Sequence, residues 1–573
     1  MGRSTRLGSL PFLLVLIAGV ALRAWHLGTF GLWWDEIVHI WTSQSGGLTD
    51  VLLEVKRGIP PGAGNAGAVP LDYALLHLYL RATSPPAPES LEVYYRLPSF
   101  LYSVLALPLL YAFGRRFLDR QVALVATLLL ALSLPHVLYA AEARFYSLFV
   151  LTTIANLYAF ANLVERRERW GAWLAYGAVN VLYFFSGLFS LFVLLLQYAV
   201  LGALLARTAV RVRRGDGAER RRSLAFQASA YVVSGAVVAG CVALYLSGTA
   251  LGHKYGRSVP DWMLDPLRVT WQTLASFSSD NPLLLGALLL LPVPLVYAWR
   301  RGILPVVAYL ELSLLAIPLI VEMARWKRYY FHPRHALFLL PAMDVLTAVT
   351  LLFVLRALDP FRFVPWLRAR REACNVALVC ALVVATQAPL VRAYLATPER
   401  FFVRSKKTYD LKRITQDVRE RVGSYGPRDK YLLVVQRNSM ANTTLAQYLR
   451  WYGLEDRVVL RGTRDPAKTL RLLRRVCETR CLGERGPVLD RALELTGPVG
   501  LPPDFQRLLG LLKPIGYWPG TVREIGLVIY SPLPRDGVVD GFAQRRLRGV
   551  QLLTVAAPRA GGEARPEREA AAR

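Results

Sequence analysis

The chain has 573 residues, of which 54% are hydrophobic and 19% are charged, and its formal net charge is +29. Its mean hydropathy is +0.33. Soluble domains are about 45–50% apolar and about a quarter charged, so a soluble protein of this composition would expose large apolar patches. The abundance of aliphatic and aromatic residues also excludes an intrinsically disordered chain. Composition therefore predicts an integral membrane protein.

Apolar runs of the roughly 20 residues that a bilayer-spanning helix needs recur along the first 395 residues. The first run follows Arg3 and Arg6 as a signal peptide would, but no small-residue cleavage site comes after it, which favours an uncleaved anchor. The runs predict eleven transmembrane helices, at 8–26, 97–114, 121–139, 146–163, 172–186, 188–206, 224–247, 282–299, 303–322, 335–356 and 373–394.

Most short loops that are rich in arginine fall on one side of the membrane in this arrangement. With the N-terminus in the cytoplasm, the inner loops include 114–120, 165–170, 207–222 and 356–372. Because Lys and Arg are concentrated in cytoplasmic loops, the pattern predicts a multi-pass protein of the plasma (inner) membrane with a cytoplasmic N-terminus. Much of the net charge then reflects membrane orientation, and we expect no nucleic acid partner.

The composition changes after residue 395, where long apolar runs stop. Short strand-like stretches alternate there with helix-like ones, the strands at 431–435, 458–460 and 525–530 and the helices at 439–452, 466–477 and 502–513. The sequence thus predicts a transmembrane domain over 1–395, an extracytoplasmic α/β domain over 396–557 and a disordered tail over 558–573. The expected fold class is an α-helical polytopic membrane protein with a C-terminal extracytoplasmic α/β domain.

The first predicted outer loop begins with the sequence L-W-W-D-E, which carries the adjacent acids Asp35 and Glu36. Tryptophans beside a span are ordinary interfacial anchors. Carboxylates at a membrane surface are costly unless they are solvated, paired or used in chemistry. A solvated start of the loop and a functional acid pair are therefore both open interpretations of this motif.

The short outer connection between the third and fourth spans contains Glu142 and Arg144, in the sequence Y-A-A-E-A-R-F-Y-S-L. A local ion pair that caps the turn is one interpretation. The alternative is that Arg144 binds an anion at the level of the lipid headgroups, because its planar guanidinium suits phosphate.

Two further outer loops are unexpectedly cationic, one at 325–335 with Lys327, Arg328 and Arg334, and one at 253–257 with Lys254. Each alone is explained by long side chains that reach the interface from an apolar surface. Together with the acid pair, they indicate a site for an anionic headgroup that has a carboxylate beside it.

That combination of groups predicts a reaction. A sugar carried on a lipid phosphate already has a good leaving group, so no strong general acid is required. Transfer needs a base for the acceptor hydroxyl, which Asp35 or Glu36 would supply, and cations for the phosphate, which Arg144, Lys254, Arg328 or Arg334 would supply. A divalent metal, Mg²⁺ or Mn²⁺, would be held only if Asp35, Glu36 and Glu142 converged, since no motif has metal-ligand spacing.

Four motifs in order resemble the GT-C superfamily of polyprenyl-phosphate-sugar-dependent glycosyltransferases. They are L-W-W-D-E at 32–36, V-P-L-D-Y-A-L-L-H-L-Y-L at 69–80, Y-R-L-P-S-F-L-Y-S-V at 95–104 and Y-A-A-E-A-R-F-Y-S-L at 139–148. A looser match is R-Y-Y-F-H-P-R-H-A-L-F-L-L-P-A at 328–342. The similarity is greatest to the branch that holds the dolichyl-phosphate-mannose protein mannosyltransferases and the bacterial aminoarabinose transferases of lipid A.

The resemblance implies a role for individual residues. Asp35 matches the catalytic acid of the first outer loop, and Glu36 is its neighbour in the motif. Glu142, Arg144 and Tyr146 match a second acidic motif near the donor phosphate or the acceptor. Asp72 stands where family members more often have H-P-P-L, on the acceptor side. The implied partners are a polyprenyl-phosphate-linked sugar, membrane lipids and an acceptor that is a lipid, a glycan or a protein of the cell envelope.

Two other classes of function remain open on the sequence alone. A transporter or flippase of a lipid-linked or anionic solute would usually show internal repeats and ionisable residues at the bilayer midplane. In this sequence the ionisable residues lie in the loops, with Glu311 in the ninth predicted span as the exception. A receptor or assembly protein would use the outer domain to bind a partner.

Overall fold

The computed structural model describes residues 9–57, 70–213, 218–247, 265–326, 333–361, 370–398, 401, 411–426, 430–436, 439–463, 522–529, 543–547 and 550–556. By internal contacts the chain divides into one unit of Met1–Gly28 with Val38–Phe401 and another of Thr29–Ile37 with Phe402–Arg573. The predicted helices at 466–477 and 502–513 and the predicted tail at 558–573 lie outside the described residues.

The first unit is built from helices. In chain order they are α1 (Leu10–Ala24), α2 (Trp34–Ser43), α3 (Leu48–Arg57), α4 (Pro70–Ala82), α5 (Leu91–Phe117), α6 (Arg120–Leu132), α7 (Leu134–Ala140), α8 (Tyr146–Glu165), α9 (Trp170–Ser186), α10 (Ser190–Arg213), α11 (Ala218–Leu246), α12 (Pro266–Phe277), α13 (Pro282–Leu289), α14 (Pro292–Arg301), α15 (Leu304–Leu314), α16 (Ala316–Trp326), α17 (Leu340–Leu358) and α18 (Arg371–Ala396). The first turn of α2 belongs to the second unit.

The described residues contain seven helices long and apolar enough to cross a membrane, or nine if two bent pairs each count as one span. All eleven predicted spans coincide with helices. Two of these helices, α1 with 15 residues and α9 with 17, are too short to be counted among the nine spans. The bent pairs are α6 with α7, at 59°, and α13 with α14, at 55°. In each pair the second helix has a proline in its first turn. Proline has no backbone N–H to donate to the preceding helix, so the chain bends there.

The spans differ widely in how much of their surface the protein buries. In the 18-residue apolar window of each span, 83% is buried for Pro333–Leu358 and 72% for Tyr146–Glu165, but only 17% for Ala218–Tyr245. Close approach of α5 and α6 depends on Gly114, where an added Cβ would lie 2.8 Å from the Cα of Ala123. Small residues at such crossings allow the backbone contact that drives helix association in membranes.

The second unit contains a five-stranded sheet of order β2-β1-β3-β5-β4, formed by β1 (Lys430–Gln436), β2 (Val458–Thr463), β3 (Val522–Ile529), β4 (Ala543–Leu547) and β5 (Val550–Ala556). Strand β1 pairs in parallel with both β2 and β3, and β5 pairs antiparallel with β3 and β4. In the described part of this unit two helices accompany the sheet, α19 (Leu411–Gly423) and α20 (Ser439–Trp451). Helix α20 provides the crossover that a parallel β1–β2 pair requires.

The first predicted outer loop is attached to this second unit. The backbone N–H of Leu32 donates to the Tyr448 hydroxyl at 2.6 Å. Gly31 lies so close to α20 that an added Cβ would approach the same hydroxyl to 3.1 Å. The motif at 32–36 is therefore held by the C-terminal part of the chain.

Candidate active site

The loop at 141–145 connects α7 to α8. Helix α7 ends at Ala140 and α8 begins at Tyr146, so the chain turns within five residues. The Arg144 N–H donates to the Glu142 carbonyl at 2.8 Å, and the Ser99 hydroxyl of α5 donates to the Arg144 carbonyl at 3.2 Å. These bonds fix the backbone of both predicted site residues.

Both charged side chains of this loop are buried, with exposed fractions of 4% for Glu142 and 3% for Arg144. Burying charged groups is expensive unless they have partners of opposite charge or strong hydrogen bonds. Their burial excludes a solvated turn.

Two arginines each lie beside one ring of a stacked aromatic pair next to this loop. The rings of Phe145 and Tyr146 are stacked with centroids 4.3 Å apart. The Arg144 guanidinium lies 5.7 Å from the Phe145 ring, and the Arg334 guanidinium lies 6.0 Å from the Tyr146 ring. Three predicted site residues, Arg144, Tyr146 and Arg334, are thus brought together from distant parts of the chain. A guanidinium group is well suited to bind a phosphate.

A 3₁₀ helix, Pro333–Leu339, presents Arg334 to this cluster. Its Phe338 packs against Phe149 of α8, with ring centroids 4.6 Å apart. Phe338 is fully buried, so the segment that follows Arg334 is anchored in the apolar core. The other two predicted phosphate ligands, Lys254 and Arg328, lie outside the described residues.

The predicted catalytic acids occupy the first turn of α2 and differ in exposure. Glu36 is fully buried, and its carboxylate accepts the backbone N–H of Trp33 at 3.1 Å, which caps the helix. Asp35 is half-buried. A carboxylate that acts on a substrate must be accessible, so Asp35 is the better candidate of the two.

Asp72, predicted on the acceptor side, pairs with a histidine that sequence reasoning did not single out. The Nε2 of His39 lies 2.9 Å from the Asp72 carboxylate, and both side chains are buried. The Tyr73 ring packs on the His39 ring with centroids 4.0 Å apart. His39 follows Asp35 by four residues in α2, a spacing that could have drawn attention to it.

A second group missed by sequence reasoning surrounds Arg23, near the end of α1. Its guanidinium is fully buried and donates all five of its N–H groups, to Ser103 Oγ at 2.7 Å, the Gly19 carbonyl at 2.8 Å, the Ala131 carbonyl at 3.0 Å, the Leu130 carbonyl at 3.0 Å and His136 Nδ1 at 2.8 Å. The Leu130 and Ala131 carbonyls belong to the last turn of α6, where the break before α7 leaves them without helix partners. An arginine inside an apolar run was the available signal.

His26, just after α1, is buried against the end of α18. Its ring contacts the Tyr394 ring edge-on, with centroids 5.1 Å apart. Within the described residues no group of three or more His, Cys, Asp or Glu side chains could hold a metal ion.

Residues 88–213 match the family model described as dolichyl-phosphate-mannose-protein mannosyltransferase. This segment includes Glu142, Arg144 and Tyr146. The resemblance noted in the sequence is thereby confirmed for this part of the chain. A search of curated proteins gives no match.

Several solved structures are similar over most of the chain at low sequence identity. ArnT from Cupriavidus metallidurans bound to undecaprenyl phosphate is 14% identical, with a TM-score of 0.47, and covers 98% of this chain and 100% of its own. The apo form of the same protein is 13% identical, with a TM-score of 0.47 and coverage of 97% and 98%. The Archaeoglobus fulgidus oligosaccharyltransferase in complex with Zn and sulfate is 12% identical, with a TM-score of 0.43 and coverage of 90% and 67%.

Proposed function

We propose that this chain is an integral membrane glycosyltransferase that moves a sugar from a polyprenyl-phosphate donor to an acceptor hydroxyl on the outer face of the membrane. The observation that carries the proposal is that Arg144 and Arg334 each lie beside one ring of the stacked Phe145–Tyr146 pair. Arg144 and both rings belong to the segment that matches the mannosyltransferase family model.

The arginines act on the leaving group. As the bond between the anomeric carbon and the phosphate oxygen breaks, its electron pair passes to the phosphate, which gains negative charge. Arg144 and Arg334 stabilise that charge, and donors fixed before the reaction are especially effective. Lys254 and Arg328 are proposed to assist them. Polyprenyl phosphate leaves without protonation by a strong acid.

Asp35 acts on the acceptor. Its carboxylate takes the proton of the acceptor hydroxyl while the acceptor oxygen forms its bond to the anomeric carbon. Glu36 supports the turn that carries Asp35, because it caps α2. Glu142, Tyr146 and Asp72 are proposed to orient the acceptor, with Asp72 held in place by His39.

The arginine-rich loops support the proposed orientation in the membrane. A cytoplasmic N-terminus puts the loops 114–120 and 165–170 inside. The acid motif, the loop 141–145, Arg334 and the domain after residue 395 then face outward, where a lipid-linked sugar and an extracytoplasmic acceptor would meet.

The test is sugar transfer by the purified full-length protein. The protein is incubated in lipid nanodiscs with a panel of radiolabelled polyprenyl-phosphate sugars and cell-envelope acceptors, with and without EDTA. We expect transfer from at least one donor, and we expect Asp35→Asn to lower kcat by about 10²–10⁴-fold, the range typical of general-base catalysis. Activity that persists in EDTA would mean that the arginines suffice as cations.

The control is Asp50→Asn, the same chemical change on α3, where Asp50 accepts the Gly47 N–H at 2.7 Å. It should transfer sugar at the wild-type rate. Full activity of Asp35→Asn would contradict the catalytic assignment. Movement of a lipid-linked sugar across the bilayer without transfer would favour a flippase.

A further inference from the structure

A pocket lies where α2 ends, between α4 and the start of α5. Its volume is about 210 Å³. The side chains that give it its chemical character are Ser43, Gln44, His77, Arg81, Tyr94 and Tyr95. None of them is used in the transfer chemistry proposed above.

Two buried polar groups of this pocket have unused hydrogen-bonding capacity. Ser43 is fully buried, and its hydroxyl has no partner among the described residues. His77 is 5% exposed, and its Nδ1 lies 2.9 Å from the Ser43 carbonyl, to which it must donate. In the neutral imidazole the Nε2 is then an acceptor. Buried groups of this kind are normally satisfied, so an unsatisfied hydroxyl in a pocket points to a ligand.

The aromatic wall of the pocket is held rigidly. The Tyr94 hydroxyl lies 2.8 Å from Thr83 Oγ1, and the Gln44 side-chain amide donates to the Tyr95 hydroxyl at 3.4 Å. The two rings meet edge-to-face with centroids 5.1 Å apart. Arg81 donates to the Gly46 carbonyl at the exposed rim. Fixed aromatic rings offer apolar faces to a ligand that also needs hydrogen bonds.

We propose that this pocket binds one neutral sugar ring of the acceptor. A sugar hydroxyl both donates and accepts, which matches the mixture of the Ser43 hydroxyl, the His77 acceptor nitrogen and the Gln44 amide. The apolar C–H face of the ring packs on the tyrosines. A phosphate or carboxylate fits less well, because Arg81 is the single Arg or Lys among the lining residues and already donates to the Gly46 carbonyl. The volume suits a single ring, since drug-sized ligands occupy about 300–1,000 Å³.

Helix α5 connects the pocket to the arginine loop. Tyr95 lines the pocket, and Ser99, four residues later on the same face, donates to the Arg144 carbonyl. One helical turn is about 5.4 Å long, so a ring in the pocket would lie beside the loop that is proposed to hold the donor phosphate. The proposal that a sugar ring binds here depends only on the pocket. The proposal that this sugar belongs to the acceptor also rests on the proposed function.

The test measures binding rather than transfer. Methyl glycosides of the common neutral sugars are titrated onto full-length protein in nanodiscs, and binding is followed by saturation-transfer difference NMR. Ser43→Ala removes only the unpartnered hydroxyl, so it should leave the thermal midpoint unchanged and weaken the best glycoside by roughly 3–10-fold, the value of one hydrogen bond. Ser45→Ala is the matched control, since Ser45 bonds Glu54 at 2.6 Å outside the pocket, and it should bind like wild type.

Arg144→Gln separates the two sites. It should abolish transfer and leave glycoside affinity within twofold. If no glycoside binds saturably, or if Ser43→Ala and wild type bind it with equal affinity, the pocket is not a sugar site. Displacement of the glycoside by sugar-free polyprenyl phosphate would overturn the acceptor assignment. If glycosides bind but no donor supports transfer, the proposed function is wrong and the sugar-binding pocket is still supported.

Discussion

At the scale of single residues, Arg23 shows how a charge is tolerated inside a helical bundle without an acid beside it. Its five N–H groups find five acceptors, two of them carbonyls that the α6–α7 break has released. The arginine and the break therefore require each other. Arg23 also bonds His136 of α7, the helix that leads directly to the loop 141–145.

Replacing Arg23 tests this dependence. Lysine keeps the charge but has three donors instead of five, so Arg23→Lys should leave buried carbonyls unsatisfied and lower the free energy of unfolding by about 2–4 kcal/mol. The measurement is thermal unfolding in nanodiscs. Arg392→Lys, at an exposed position of α18, is the control and should change little. Equal midpoints for both variants would show that the network around Arg23 contributes no stability.

At the scale of helices, a cluster of buried polar side chains joins α8, α9, α10 and α15 by hydrogen bonds. Gln197 of α10 uses both atoms of its amide: the oxygen accepts from Asn156 at 3.2 Å and Tyr176 at 2.9 Å, and the nitrogen donates to Asn156 and to Tyr309 at 2.9 Å. All of these side chains are buried. Such bonds between spans specify which faces of the helices meet, because lipid offers no competing partner.

Gln197→Met keeps the length of the side chain and removes its hydrogen bonds. We expect a loss of about 1–2 kcal/mol of stability, the upper range for polar contacts between membrane helices. Urea or thermal unfolding of the purified protein in nanodiscs measures it. Thr208→Val, on the same helix, removes a hydroxyl that bonds only the Leu204 carbonyl of its own turn, and it should be neutral. An unchanged midpoint in Gln197→Met would mean that apolar packing alone aligns these helices.

Helices were predictable from the sequence because each span must satisfy its own backbone in lipid, which requires long apolar runs. The bend after Leu132 was not predicted, because the run was read by its length and hydropathy, which do not register the helix break that Pro135 causes. Arg144 could be singled out from its short loop, and the aromatic stacking that joins it to Arg334 could not, because the two are 190 residues apart in sequence. The partner of Asp72 depends likewise on how α2 and α4 pack.

At the scale of the molecule, the first acid motif belongs structurally to the C-terminal part of the chain. Residues 29–37 group with everything from Phe402 onward, through contacts such as that between Leu32 and Tyr448. Asp35 is three residues beyond Leu32, so the position of the proposed base depends on α20.

Tyr448→Phe removes the hydroxyl that accepts the Leu32 N–H and keeps the aromatic ring. Loss of one hydrogen bond of about 0.5–1.5 kcal/mol should loosen the motif and lower kcat by roughly 3–10-fold, with little change in the KM for the donor. Steady-state transfer assays measure both constants. Tyr452→Phe is the matched control, because Tyr452 bonds Gln416 at 3.4 Å within the same unit. Wild-type kcat in Tyr448→Phe would mean that Asp35 is held by other contacts.

The attachment of residues 29–37 to α20 limits how such a protein can be recombined. Cutting the chain after the last span would appear to free a modular domain, yet that domain would leave behind nine residues that share its packing. A chimera between two homologues should therefore exchange 29–37 and 402–573 together. Over evolutionary time, the residues that contact Tyr448 in α20 and those around Gly31 should covary, although some 400 positions separate them in the gene.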